Sequence, residues 1–149
     1  PVRPEILALP LPAERMANRS GRLRVLVVGG SLGAAIFNKT VPQAMRTLSA
    51  AQRPEIWHQT GRGQLDATER AYEKSAVTTI VAEFIDDMAA AYGWADVVIC
   101  RAGAMTIAEL CAAGVAAILV PYPSAVDDHQ TANARFPAQR DAAILATCC

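Results

Sequence analysis

The stretch RAGAMTIAELCAAG, residues 101–114, places a loop of small side chains directly after the apolar run ADVVIC. Thr106 and Glu109 have the T-x-x-E spacing of a capping box, which is a purely structural use of both side chains. The same stretch fits a second chemistry, because small residues let a diphosphate approach the free backbone amides of a helix start. A diphosphate repels a carboxylate, so Glu109 suits a neutral diol such as a ribose better. A nucleotide carries both groups, and the residues alone leave both interpretations open.

A second candidate is the glycine turn in VVGGSLGAA, where Gly29, Gly30 and Gly33 stand between a predicted strand and a predicted helix. Such a turn either satisfies unusual backbone angles or cradles a phosphate or sugar with exposed amides. Ser31 is its candidate side chain. The spacing is GGSxG and not GxGxxG, and the next strand, EIWHQT, does not end in an acid. Recognition of a dinucleotide is therefore weakly supported.

The stretch EFIDDM places two acids at another predicted helix start. We expect Asp86 and Asp87 to act as N-caps that complement the helix dipole. Ile85, just before them, offers main-chain groups that a base can pair with.

The stretch PYPSAVDDHQTANA combines acids, amides and one imidazole. Gln130 and Asn133 lie one turn apart on a predicted helix and therefore face the same way, as sugar-reading amides do. His129 beside them is expected to be structural or exposed to solvent. His58 falls within a strand pattern, and we do not predict a catalytic role for it.

Other kinds of chemistry find no support in the residue pattern. We find no Ser/His/Asp set, no paired carboxylates and no Cys/His metal spacing, so no metal site is predicted. Cys100 and Cys111 fall in elements predicted to be buried, whereas Cys148 and Cys149 are adjacent near the end of the sequence. This usage predicts a reduced, cytoplasmic setting.

Composition narrows the class further. The 149 residues are 52% hydrophobic and 19% charged, as in a soluble globular domain of ordinary size. The 14 basic and 14 acidic residues give a net charge of +0 without a long run of either sign, which disfavours nucleic-acid binding. No apolar run approaches the roughly 20 residues that span a bilayer.

Apolar runs alternate with helical patterns from Leu23 onward. The predicted strands are LRVLVV, EIWHQT, TTIVAEF, DVVIC and AAILVP, with a sixth in AAILA, and each interval carries a helical pattern. Pro42 is expected near a kink or a helix boundary. Continuous Val/Ile/Leu strands separated by helices predict an α/β fold, a Rossmann-like doubly wound parallel sheet, with ligands beyond the carboxyl ends of its strands.

The opening PVRPEILALPLPAERM is rich in proline and does not start with Met. It predicts that the chain is a piece of a longer protein. In this interpretation residues 1–22 are an interdomain linker and residues 23–149 are a domain truncated at its C-terminal end.

Several stretches together resemble the MurG family of bacterial peptidoglycan glycosyltransferases. They are PVR, VLVVGGSLGA, IWHQTG, EFIDDMAAAYGWADVVICRAGAMTIAEL and VPYPSAVDDHQTANA, which run from residue 1 to about residue 135. The resemblance implies one half of a GT-B glycosyltransferase, the C-terminal half that binds the donor UDP-GlcNAc. It also implies a set of substrate-binding residues: Arg3, Ser31, Ile85, Ala104, Met105, Thr106, Ile107, Ala108, Glu109 and Gln130, with Gly29, Gly30, His129 and Asn133 as weaker candidates.

The family pattern also implies roles for these residues, and Ser31 belongs to the glycine loop that contacts the donor. Arg3 lies at the interdomain cleft and serves the donor, and the backbone of Ile85 meets uracil. The segment from Ala104 to Ala108 surrounds the diphosphate. Glu109 takes the ribose hydroxyls and Gln130 reads the GlcNAc hydroxyls.

The resemblance also implies a reaction and a location. In the intact enzyme GlcNAc passes from UDP-GlcNAc, a substrate and not a cofactor, to undecaprenyl-linked muramyl pentapeptide. The acceptor site, the catalytic base and the membrane-association patch belong to the N-terminal domain, so the catalytic residue is unknown here. The intact enzyme is expected on the cytoplasmic face of the cell membrane, and this chain alone is expected to bind donor without turnover. The text RFPAQRDAAILATCC departs from the family pattern, with Pro137 inside a predicted helix.

Three other interpretations remain open at this point. A UDP-GlcNAc epimerase of the same fold needs acid and base carboxylates that we cannot place. An NAD-binding module needs an acid at the end of the second strand. An inactive fragment that binds UDP-sugar weakly or not at all agrees with the altered C-terminal text.

Overall fold

Six short segments form a parallel sheet in the computed structural model, which describes residues 2–123 and 129–146 and, in that range, all side chains except those of residues 31–34. Each strand lies within an apolar run that predicts it, so the six predicted strands are confirmed. Their bounds are β1 Arg24–Val28, β2 Glu55–Gln59, β3 Thr78–Ala82, β4 Val97–Cys100, β5 Ala116–Leu119 and β6 Ala143–Leu145.

The helices of the described residues are α1 Pro4–Leu7, α2 Pro12–Met16, α3 Gly30–Arg46, α4 Leu65–Glu73, α5 Met88–Trp94, α6 Ala104–Ala113 and α7 His129–Ala138. The last five connect successive strands, as predicted. Pro42 lies inside α3 and Pro137 inside α7. Among the described helices, none is both long enough and apolar enough to cross a membrane.

The strands lie in the order β3-β2-β1-β4-β5-β6, and every neighbouring pair is parallel. This is the order of a Rossmann-like doubly wound sheet, so the predicted fold class is confirmed. The direction of winding reverses between β1 and β4. In open sheets of this kind a ligand binds outside the carboxyl ends of the strands at that switch point.

Apolar side chains cover both faces of the sheet, because successive residues of a strand point to opposite sides. On β1, Leu26 packs with α1, α5 and α6, whereas Val25 and Val27 pack with α3 and α4. Both faces of β1 are therefore buried, which explains why it reads as a continuous apolar run and not as an alternating one.

The segment predicted to be a linker carries two short helices that pack on the domain. Ile6 of α1 is 1% exposed and belongs to the cluster on the α5 and α6 side of the sheet. Arg15 of α2 donates to the backbone carbonyls of Tyr92 and Ala113. The division into a linker over residues 1–22 and a domain from residue 23 stays a prediction.

The same segment is tied to the start of β4 by an ion pair. Arg19 donates to both carboxylate oxygens of Asp96, at 3.0 and 2.7 Å. One of these oxygens also accepts the backbone N–H of Arg24 at 2.8 Å. Asp96 thus joins the N-terminal segment to β1 and β4 at once.

The start of α6 differs from the predicted capping box. Gly103 is the N-cap residue, with φ −65° and ψ 144°, and no side chain in the described part of the chain caps this end. The helix therefore begins at Ala104, Thr106 already has a helical backbone, and Glu109 makes its hydrogen bonds elsewhere. The capping-box interpretation is wrong, whereas the predicted end at Gly114, with φ 59° and ψ 44°, is confirmed.

Of the two acids predicted to act as N-caps, one is confirmed. Asp87 is the N-cap of α5 and accepts the N–H of Ala90 at 2.8 Å, as predicted, but Asp86 precedes the cap and does not fill that position.

Cys100 is buried, and burial raises the pKa of its thiol to about 12. Cys111 is exposed, so its predicted burial is wrong: the stripe of α6 that faces the core does not include it. Cys148 and Cys149 lie outside the described residues.

Candidate functional site

Two helix starts meet at the switch point of the sheet. Val28 and Cys100, the last residues of β1 and β4, are in register, so the two strands end side by side. Helix α3 begins at Gly30 and α6 at Ala104, each a few residues beyond its strand. The amino ends of both helices therefore lie at the carboxyl edge of the sheet, where helix dipoles favour an anion.

The first turn of α6 offers backbone amides that have no acceptor among the described residues. Its first intrahelical bond runs from the N–H of Ile107 to the carbonyl of Gly103, at 3.0 Å. The N–H groups of Ala104, Met105 and Thr106 therefore have no intrahelical acceptor, and none of the described side chains caps them. Three adjacent donors of this kind suit the oxygens of a diphosphate.

The side chains of this turn divide into two groups. Ala104, Met105 and Ala108 are exposed, and Met105 is 62% exposed. Ile107 is buried in the core, so only its main chain is available for a ligand contact. The predicted segment from Ala104 to Ala108 thus presents small side chains, one Met and backbone at the edge of the sheet.

The glycine turn forms the start of α3. Gly29 is the N-cap residue, and this helix end has no cap from any described side chain. Gly30 has φ +68°, a conformation that L side chains rarely adopt, although a Cβ there would meet nothing within 4 Å. The backbone angle and not lack of space therefore requires glycine. The predicted role of Ser31 concerns a side chain outside the described part of the structure.

Glu109 is buried, with 5% exposure, on α6. Arg3 donates to it with both arms of its guanidinium, from Nε to Oε1 at 2.8 Å and from Nη2 to Oε2 at 2.9 Å. The Arg3 side chain is itself 45% exposed, and the hydrogen bond and charge of Glu109 raise its pKa above the usual value. The structure thus brings together two predicted residues that are 106 positions apart.

Tyr92, which the sequence did not single out, completes this cluster. Its hydroxyl donates to Oε2 of Glu109 at 3.2 Å, and the residue is 2% exposed. Burial, and next the charge of Glu109, raise the pKa of this hydroxyl, so it stays protonated and remains a donor. Its position in the apolar run MAAAY indicates only a core residue, and no local pattern links it to Glu109.

Gln59 is a second residue that the sequence did not indicate. Its Oε1 accepts the backbone N–H of Ile85 at 3.1 Å, which ties the end of β2 to the loop after β3. The backbone of Ile85 is predicted to meet a base, and its N–H is already hydrogen-bonded to the side chain of Gln59. Whether Ile85 contacts a base stays a prediction.

Helix α7 carries the predicted sugar-reading amides. Oε1 of Gln130 accepts the N–H of Tyr122 at 2.8 Å, so the NH2 group is the end that can donate to a ligand. Asn133 donates to the carbonyl of Ala102 at 3.2 Å and links α7 to the loop after β4. His129 is exposed in the first turn of α7. Residues 124–128, which include the two acids before this helix, lie outside the described residues.

Arg101 holds the ends of β4 and β5 together. It donates to the carbonyls of Val120 and Pro121 at 3.2 and 3.0 Å. Its guanidinium lies 5.2 Å from the ring centre of Phe37 and 5.0 Å from that of Tyr122. These contacts fix the segment after β5 whose amide Gln130 accepts.

His58 belongs to a separate buried network. It is 0% exposed, with Nδ1 2.7 Å from the hydroxyl of Tyr72 and Nε2 2.9 Å from Oδ1 of Asn38. Burial lowers the pKa of the imidazole to about 4. Within residues 2–123 and 129–146, no group of three or more His, Cys, Asp and Glu side chains could hold a metal ion.

Comparison with curated proteins identifies close relatives. The chain is 57% identical over 145 residues to the UDP-N-acetylglucosamine–N-acetylmuramyl-(pentapeptide) pyrophosphoryl-undecaprenol N-acetylglucosamine transferase of Marinobacter nauticus, covering 97% of this chain and 40% of the relative. It is 59% identical to the protein of the same name from Neisseria meningitidis, covering 97% of this chain and 41% of the relative. The chain thus spans about two fifths of the length of these relatives.

A solved structure agrees. The crystal structure of Acinetobacter baumannii MurG superposes with a TM-score of 0.88 at 44% identity, over 95% of this chain and 41% of that one. The resemblance to the MurG family is confirmed by these matches. The model of the glycosyltransferase family 28 C-terminal domain matches residues 24–147. Since that match covers most of the sequence, the chain belongs to the glycosyltransferase family 28 C-terminal domain family.

Proposed function

We propose that the chain binds UDP-GlcNAc as the donor-binding half of an inverting glycosyltransferase. The observation that carries the proposal is the buried carboxylate of Glu109 on a helix whose first turn presents amides that no described residue accepts, at the switch point of the sheet. A nucleoside diphosphate matches both features, with its diphosphate on the amides and its ribose diol on the carboxylate. The names of the relatives from Marinobacter nauticus and Neisseria meningitidis support UDP-GlcNAc as the donor.

The diphosphate end of the donor is where the charge of the reaction develops. As the bond between C1 of GlcNAc and the phosphate oxygen breaks, negative charge grows on the departing UDP. The amides of Ala104, Met105 and Thr106 stabilise that charge without reorganising, which is the largest contribution in many such reactions. Arg3 adds a positive charge within reach of the same end.

The remaining contacts orient the donor. Ile85 offers its main chain to uracil, once Gln59 releases the N–H that it accepts. Gln130 donates to a GlcNAc hydroxyl through its NH2 group, while its oxygen stays on Tyr122. Ser31, Gly29 and Gly30 line the glycine turn beside the diphosphate, and His129 and Asn133 lie near the sugar. We propose no cofactor, because UDP-GlcNAc is a substrate.

The transfer itself needs a second half. A base deprotonates the acceptor hydroxyl of undecaprenyl-linked muramyl pentapeptide, the oxygen attacks C1 of GlcNAc, and UDP leaves from the opposite face. We place the base, the acceptor site and the membrane contact in the part of the longer relatives that this chain does not span. The whole protein then works on the cytoplasmic face of the cell membrane, in peptidoglycan synthesis and hence in cell-wall growth, cell shape and division.

Calorimetric titration tests donor binding directly. We expect saturable binding of UDP-GlcNAc and of UDP, and none of NADH. Glu109→Gln keeps the shape of the side chain but removes its charge, and we expect it to weaken UDP-GlcNAc binding at least about tenfold.

The matched control is Glu55→Gln, at the opposite, amino end of the sheet, which should bind as the unaltered chain does. A chain that is folded by circular dichroism yet binds NADH, or does not bind UDP-GlcNAc, would contradict the proposal. Conversion of UDP-GlcNAc to its epimer, followed by proton NMR, would instead favour an epimerase.

A further inference from the structure

The carboxylate of Glu109 has little acceptor capacity left. From the described residues it accepts three hydrogen bonds, two from Arg3 and one from Tyr92. A carboxylate has about four acceptor positions, so about one remains. A ribose diol donates two hydrogen bonds. If the diol binds Glu109 with both hydroxyls, at least one of the present donors has to leave.

The two donors differ in their freedom to leave. Tyr92 lies on α5, is 2% exposed and belongs to the core cluster, so its ring is packed among buried side chains. Arg3 has a side chain that is 45% exposed and lies before the first turn of α1. A long exposed side chain can swing at small cost, so Arg3 is the group that leaves.

The departing guanidinium has a destination in the same ligand. A nucleoside diphosphate brings its negative charge to the amides at the start of α6, on the helix that carries Glu109. An arginine that exchanges a carboxylate for a phosphate keeps a bidentate, charge-assisted partner. The exchange therefore costs little for a nucleoside diphosphate, but it is unfavourable for a nucleoside without phosphates.

We propose that the ribose diol of the donor displaces Arg3 from Glu109, that Arg3 then pairs with the diphosphate, and that Tyr92 is the positioning residue that holds the carboxylate during the exchange. The inference rests on the proposed function, because it assumes a nucleoside diphosphate at this site. Arg3 thus has two successive partners, first Glu109 and then the diphosphate. Glu109 becomes accessible only to a ligand that also carries a new anionic partner for the Arg3 guanidinium.

Arg3→Ala separates the two halves of the exchange. Uridine has the diol but no phosphate, so removal of the competing guanidinium should tighten its binding about fivefold. UDP loses its arginine partner and should bind about tenfold more weakly. Ligand-detected NMR measures both dissociation constants in the millimolar range. Arg15→Ala is the matched control, since it loosens the same N-terminal segment without touching Glu109 and should change neither constant appreciably.

Tyr92→Phe tests the positioning role through a ratio of affinities. The unaltered chain should prefer UDP over 2′-deoxy-UDP, and this preference should fall about threefold to tenfold in the variant. Loss of fold weakens both nucleotides equally and leaves the ratio unchanged. If Arg3→Ala shifts uridine and UDP in the same direction, or if Tyr92→Phe retains the full ratio, the exchange is wrong. If the unaltered chain binds neither ligand, the proposed function fails and the exchange fails with it.

Discussion

Gly114 lies directly against Pro12. A Cβ placed on Gly114 would come within 2.4 Å of Cγ of Pro12, and the glycine has φ +59°. The end of α6 and the start of α2 thus meet at one residue without a side chain. The N-terminal segment is fitted to the domain here, on the helix that carries Glu109.

Gly114→Ala should destabilise the fold by about 2–4 kcal/mol. A left-handed conformation costs an L residue roughly 1–2 kcal/mol, and the rigid Pro12 ring has to shift as well. Urea denaturation followed by circular dichroism measures the free energy of unfolding. Gly63→Ala is the matched control, because Gly63 has φ +72° but a Cβ there meets nothing within 4 Å. Equal losses in the two variants would show that α2 does not press on Gly114.

Asp96→Ala should lower the free energy of unfolding by about 3 kcal/mol. It removes the partner of Arg19, whose side chain is 15% exposed, and leaves the N–H of Arg24 without its acceptor. Glu55→Ala breaks a looser pair, in which the charged atoms of Arg24 and Glu55 lie 3.8 Å apart and both side chains are more than a third exposed. We expect Glu55→Ala to lower the free energy of unfolding by less than about 0.5 kcal/mol.

Thermal and urea denaturation of both variants checks the contrast. A loss for Asp96→Ala as small as that for Glu55→Ala would mean that the N-terminal segment is not held by this ion pair. In that case the double variant Asp96→Ala with Arg19→Met should be no more stable than Asp96→Ala alone. If the ion pair does hold the segment, the double variant should regain part of the lost free energy of unfolding, because no unpaired guanidinium remains.

The sheet could be predicted from the sequence because its signal is local. Each strand is an apolar run of four or five residues between helical patterns, and Leu26 and Val27 need no distant partner to indicate burial on both faces. The helices α1 and α2 gave no such signal. They have four and five residues, too few for a periodic pattern, and Ile6 is held by tertiary packing.

The contacts within the candidate site likewise join residues that are distant in the sequence, so no local pattern predicts them. Thr106 and Glu109 match a local motif, yet the helix begins at Ala104 with Gly103 as its N-cap, and Glu109 pairs with Arg3, at a sequence separation of 106. The resemblance to a family predicted both members of that ion pair as binding residues but not that they bind each other. Tyr92 could not be predicted as their partner, because a buried tyrosine in an apolar run has the pattern of any core residue.

His58 should make stability depend on pH below neutrality. Nε2 lies by the acceptor Oδ1 of Asn38 and therefore carries the proton, so Nδ1 of the neutral ring accepts from the hydroxyl of Tyr72. Burial disfavours the charged imidazolium and lowers the pKa of the ring from 6.5 to about 4. As the pH falls through this window the unfolded chain gains the proton first, and about 3 kcal/mol of stability is lost.

The free energy of unfolding, measured by urea denaturation at intervals from pH 7.5 to pH 4, gives the slope. His58→Gln should be less stable at neutral pH and should lose much less on acidification, since the group that titrates in this window is gone. His129→Gln, which removes the exposed histidine of α7, should retain the slope of the unaltered chain. Equal slopes for the unaltered chain and His58→Gln would mean that the buried imidazole does not account for the acid sensitivity.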